Sequence, residues 1–110
     1  MAKAIISQAI QQQVAELIDA FNKKTFKGSA DFMYIPKFKG NFLYLNRKEF
    51  DRISPVVRLK YSGNIKKWDF AIFKWSSETY DPDERFFPGV EHVDGTIEGA
   101  MKAGLAAYPI

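Results

Sequence analysis

Seven residues able to do acid–base or metal chemistry crowd one stretch of the chain: Glu78, Asp81, Asp83, Glu84, Glu91, His92 and Asp94. Hard divalent cations take carboxylate oxygens as ligands. Asp81, Asp83, Glu84, His92 and Asp94 are therefore the residues from which a metal site would have to be built. Their spacing does not match the calcium-loop pattern D-x-[DN]-x-[DN]-G. His92 and Asp94, two apart in an extended segment, would point the same way, but two ligands do not make a site. The competing reading is a solvated acidic loop turned by Asp81-Pro82-Asp83, its carboxylates pairing with lysines and arginines of its own sheet. On that reading the chain needs no metal and no cofactor.

His92 is the only histidine, so it would have to serve as the base in most acid–base schemes. Ser76 or Ser77 with His92 and Asp94 supplies the inventory of a triad. No nucleophile elbow surrounds those serines, and a triad is a matter of geometry. No glycine-rich phosphate loop is present. Asp94-Gly95-Thr96 could hold an anion at a helix start, but Asp94 would repel it, so capping explains the residues better. The absence of cysteine removes thiol catalysis, Cys-based zinc sites and disulfides together. No catalytic residue is assigned, and the inventory leans away from an enzyme.

Cations and rings offer a different chemistry. Residues 1–75 carry 14 Lys/Arg against 6 Asp/Glu, and residues 76–110 carry 2 against 7. This split, +8 and −5, sums to the net +3. It suggests halves that face each other, within one chain or between copies. Arg58, Lys60, Phe73 and Trp75 fall on the polar phase of two strand-like stretches and form the candidate binding set, with Lys37, Lys39 or Arg47 near them. Rings beside cations suit single-stranded nucleic acid, where bases stack and cations hold phosphates. They equally suit a protein interface or a sheet face roofed by the acidic 76–94 segment. The protein interface leads, self-association as a homodimer first and another protein second; nucleic acid is the alternative.

These residues need a frame to position them. At 110 residues the chain makes one domain, 1–110, with enough core to fold without metal or disulfide help. Residues 3–25 read as a helix with Ile6, Ile10, Val14, Leu17 and Phe21 on one face, ended near Gly28. Asp31–Phe38 and Asn41–Arg47 alternate as strands around Lys39-Gly40, and Pro36 places the first at an edge. Val56–Tyr61 and Lys66–Trp75 form a second pair. Lys48–Pro55 reads as a loop or short helical turn, and Ser76–Val93 as irregular. A last helix opens at Asp94-Gly95-Thr96, carries Ile97, Met101, Leu105 and Tyr108, and is thinned by small residues. The expected fold is a two-layer α+β domain: a four-stranded antiparallel sheet with the N- and C-terminal helices on one face. Val57, Leu59, Trp68, Phe70 and Ile72 should point into its core. No apolar run approaches the roughly 20 residues that span a bilayer, and the N-terminus lacks a signal-peptide apolar region. A soluble cytoplasmic protein without membrane contact is the expectation.

Val57-Arg58-Leu59-Lys60-Tyr61, Lys67-Trp68-Asp69-Phe70, Tyr80-Asp81-Pro82-Asp83-Glu84, Phe87-Pro88-Gly89 and Asp94-Gly95-Thr96-Ile97-Glu98 follow one another in the second half. Together, over about residues 56–108, they resemble a small bacterial family of uncharacterised proteins. The resemblance implies a small bacterial domain of unknown function and brings no catalytic residue, cofactor or partner.

Overall fold

A computed structural model describes residues 5–84 and 86–109 of the chain. Its elements run α1 (Gln8–Phe26), β1 (Phe32–Lys39), β2 (Phe42–Glu49), β3 (Arg52–Tyr61), β4 (Trp68–Lys74), β5 (Thr79–Asp81) and α2 (Ile97–Ala107), with a single 3₁₀ turn at Val90–His92. The strands form one antiparallel sheet in the order β1-β2-β3-β4-β5. The class is α+β as expected, but the sheet has five strands, not four. The fifth lies in the segment expected to be irregular: Phe73 pairs with Tyr80 and Ile72 with Asp81. Three residues are too few to establish a period of two in the sequence.

The 48–55 segment is also strand rather than loop. β2 runs to Glu49, Phe50-Asp51 makes the turn, and β3 starts at Arg52. Phe50 takes φ 60° although it is not a glycine, and its ring rests on Phe32 at 5.0 Å. Pro55 is tolerated because β4 pairs with β3 only from Val57 onward, so this part of β3 has no ladder on that side. A bulge at Val56, where Leu45 faces Val57 and Asn46 faces Pro55, turns a second valine inward; both are buried.

One face of the sheet and both helices share the core. Tyr34, Leu43, Leu45, Val57, Leu59, Trp68 and Ile72 meet Val14, Ile18 and Phe21 of α1 and Ile97, Ala100 and Met101 of α2. In α1 the buried stripe passes through Ile18, leaving Leu17 48% exposed. With Leu17 and Ile18 adjacent, either fits a 3.6-residue period, so the sequence alone does not choose between them. Ser7 caps α1 by accepting from Ile10 N–H at 3.3 Å. Residues 3 and 4 of the expected helix lie outside the described residues.

Two details fix the helices against the sheet. The Asn22 side-chain amide donates to the Tyr34 carbonyl (3.0 Å) and accepts from the Tyr34 N–H (2.8 Å). A helix residue thus occupies the place of a strand neighbour on edge strand β1. In α2 a Cβ on Gly104 would come within 2.6 Å of Tyr34 Oη and 2.7 Å of Val56 Cγ1. The small residues of α2 are what allow this close approach.

Candidate functional site

Alternation on the strands puts one set of residues opposite the helices. On β3 the set includes Arg58 and Lys60, whose partners are Tyr44 and Phe42 on β2 and Ala71 and Asp69 on β4. On β4 and β5 it includes Phe73 and Tyr80, which face each other. β1 adds Lys37 and Lys39 through their pairing with Tyr44 and Phe42. The inward set Val57, Leu59, Trp68, Phe70 and Ile72 falls on the opposite face, as the alternation requires.

Five rings cross this outer face as a chain. Successive centroid distances are 6.2 Å for Phe42–Tyr44, 5.6 Å for Tyr44–Tyr80, 5.1 Å for Tyr80–Phe73 and 5.0 Å for Phe73–Trp75. The last three meet edge to face, the geometry the ring quadrupole favours. The Arg58 guanidinium carbon sits 4.7 Å from the Phe42 centroid and 5.4 Å from that of Tyr80, within cation–π range of both. Arg58, Phe73 and Trp75 therefore belong to one connected cluster, with Lys60 next to it and exposed. Trp75 lies just past the end of β4 and is 48% exposed, whereas Phe73 is only 8% exposed. The second is a packing residue of the face and the first is available to a ligand. Burial, and then the neighbouring Tyr44, push the Tyr80 phenol up from its ordinary value against the pull of Arg58.

Cations outnumber anions here. Lys37, Lys39, Lys48, Arg58 and Lys60 share the face with Asp69 alone among the described strand residues. Beside the ring chain Lys37, Lys39, Tyr44, Asn46 and Tyr80 line a recess of about 260 Å³. Arg47, expected near this face, is not there. It points to the helix side, 4% exposed, with Nε donating to Glu49 Oε1 at 3.0 Å. Its Nη1 is buried without a hydrogen-bond partner. The strand phase explains the difference, because Arg47 shares its parity with Leu43 and Leu45.

The acidic segment does not lie across the ring chain but borders the face, where Pro82, Glu84 and Phe87 line a groove of about 610 Å³ with Phe42, Arg58 and Lys60. After β5 it follows the free edge of β4, where Phe87 stacks on Phe70 at 5.8 Å and Trp68 N–H donates to the Gly95 carbonyl at 2.8 Å. Lys74 fastens it on the helix side, 2.9 Å from Glu84 and 3.7 Å from Asp81. The bond to Glu84, more than the charge of Asp81, holds the Lys74 pKa above its ordinary value. Gly89 lies so close to α2 that a Cβ there would meet Ala106 Cβ at 2.6 Å.

The metal candidates are dispersed among these tasks. Asp81 accepts from Asp83 N–H and Glu84 from Phe86 N–H. Asp94 accepts from the N–H and hydroxyl of Thr96, bonds that hold its carboxyl below the usual carboxylate range, the hydroxyl one foremost. Thr96 is the N-cap of α2, accepting from Gly99 N–H at 3.0 Å. His92 Nε2 lies 3.8 Å from Glu91 rather than against Asp94. Among the described residues no three His, Asp or Glu side chains gather as a ligand set. Ser77 Oγ shares its hydrogen bond with Thr79, so the paper triad has no assembled counterpart. His92 and Asp94 instead line an open groove of about 810 Å³ between α1 and the start of α2, with Leu17, Lys66 and Lys102.

Sequence reasoning missed Phe42, Tyr44 and Tyr80. The first two were legible, since they alternate with the inward Leu43 and Leu45. Tyr80 had no local signal. No protein-family model, no curated protein and no solved structure matches the chain. No helix among the described residues is long and apolar enough to cross a membrane.

Proposed function

We propose that this protein is a non-enzymatic binding module that takes an anionic partner on the outer sheet face. The observation that carries the proposal is Arg58 held between the Phe42 and Tyr80 rings, at the centre of a ring chain that no layer of the described structure covers. An uncovered face that combines rings with a cation excess offers large contact area at low entropy cost. A titration followed by NMR, with polyphosphate as the probe, tests it. Shifts should concentrate on outward residues of β1 to β3 and on Trp75. Shifts confined to the α2 side, or none at all, would refute the reading.

Self-association comes second, supported by the exposed Leu17 on α1. The sheet face is poorly suited to it. A two-fold interface sets the same patch against itself, so the cations Lys37, Lys39, Lys48, Arg58 and Lys60 of one copy would face those of the other. A homodimer would be built on α1, and Leu17→Glu should then return a scattering mass of one chain.

A further inference from the structure

Resting on that reading of the outer face, the geometry points to single-stranded nucleic acid as the partner. An acidic protein would satisfy the cations equally well; the recess beside them distinguishes the two. Tyr44 and Tyr80 supply ring surface, Lys37 and Lys39 stand at the rim, and Asn46 completes the lining. The volume of about 260 Å³ falls below the roughly 300–1,000 Å³ of sites for drug-sized ligands and suits one heterocycle. The Asn46 amide makes no hydrogen bond among the described residues. An amide carries both donors and an acceptor, which matches the mixed edge of a nucleobase better than a carboxylate, which only accepts. A base seated there leaves its phosphates beside Lys37 and Lys39. The strand can then cross the rings past Arg58 toward Trp75, whose half-exposed indole offers a second stacking surface. Duplex DNA does not fit this arrangement, because its bases have no free faces.

Trp75 also reports the test, since Trp68 is buried at 3% exposure. Oligothymidylate of about ten nucleotides, within the usual range of single-strand site sizes, is titrated against indole fluorescence. Polyglutamate of equal charge and a duplex of equal length run in parallel. The single strand should bind at least tenfold more tightly than either. If the three exposed lysines Lys37, Lys39 and Lys60 each neutralise a phosphate, a slope of about −0.7 per contact gives about twentyfold weakening between 50 and 200 mM salt. Lys37→Gln/Lys39→Gln should remove about two thirds of that slope, and Trp75→Phe should remove the fluorescence signal and weaken, without abolishing, the binding measured by anisotropy of a labelled strand. Polyglutamate binding as tightly as the oligonucleotide would overturn the nucleic-acid assignment and leave the face an acidic-protein site. Binding of neither, by fluorescence or anisotropy, would overturn the face reading itself. Affinity indifferent to salt or to the lysine pair would also overturn the assignment.

Discussion

Replacing Gly99 by alanine tests how the 92–94 segment is locked to α2. In an open helix this change stabilises by about 1 kcal/mol. At Gly99 the added Cβ would lie 2.3 Å from Asp94 Oδ1 and 2.4 Å from the His92 carbonyl oxygen. The carbonyl belongs to the backbone and cannot swing aside as a side-chain tip does. Either the His92–Asp94 segment moves or α2 slides on its sheet, and forced shifts of this kind cost about 1–3 kcal/mol. Displacing Asp94 also disturbs its bonds to Thr96, the residue whose cap contributes about 1 kcal/mol. The opposing terms leave a net loss of about 2 kcal/mol. With a urea slope of about 2 kcal/mol/M the midpoint falls by about 1 M. Equilibrium unfolding in urea measures it, and the slope itself should not change. A midpoint equal to or above that of the parent chain would refute the packing argument. In an Asp94→Ala background one of the two obstructing atoms is gone, so Gly99→Ala should cost less there.

Asn22→Ala removes both side-chain bonds to Tyr34 on edge strand β1; a loss of about 1–3 kcal/mol in urea unfolding and faster aggregation, measured by light scattering, should follow. Burial raises the Tyr34 phenol far above its ordinary value. A group whose folded pKa is raised stabilises fully below its unfolded pKa, near 10, and loses that contribution as pH climbs further. Alkaline unfolding monitored by circular dichroism should therefore begin above about pH 10 and be less steep in Tyr34→Phe. Asp94 behaves in the opposite sense: its folded pKa is depressed, so its contribution is present above the ordinary carboxylate pKa and disappears as pH falls through the folded value. The stability gap between the parent and Asp94→Ala should accordingly shrink from pH 5 to pH 2 in urea titrations at each pH.

The parts of this fold that announce themselves in the sequence are those with a sustained period or a dedicated turn residue. Gly40 takes φ 60° in the first hairpin, at a turn where glycine is what the geometry asks for, and that hairpin is readable from its residues. The second hairpin turns at Phe50, also at φ 60°. A phenylalanine there gives no turn signal, so 48–55 looks like a loop. β5 exists because Tyr80 has Phe73 to pack against, a tertiary fact that three residues cannot encode alone. For the site, alternation in the sequence is enough to place Arg58, Lys60 and Phe73 on one face, and the same alternation carried along β2 excludes Arg47. The recess at Asn46 is not legible, because it needs Tyr80 of β5 to reach Tyr44 of β2 across the two strands between them.

The charge split does not resolve into one half clasping the other. Of the ion pairs in the described residues, Asp19–Lys23, Arg47–Glu49 and Glu98–Lys102 stay within their own halves, and Lys74 alone reaches across, to Asp81 and Glu84. The remaining charge is sorted in space. Four lysines, Lys37, Lys39, Lys48 and Lys60, lie with Arg58 on the outer face, while Glu16, Glu91, Asp94 and Glu98 outnumber Lys66 and Lys102 in the groove beside α2. A molecule polarised in this way approaches an anionic partner with the ring face leading, since the field of the whole surface orients the encounter before contact. The same sorting disfavours stacking of the face on itself. A head-to-tail contact, sheet face to α2, would satisfy the charges but is heterologous and need not close. It should show as open-ended association at low salt that disperses as salt is added, distinct from the fixed mass of a closed dimer.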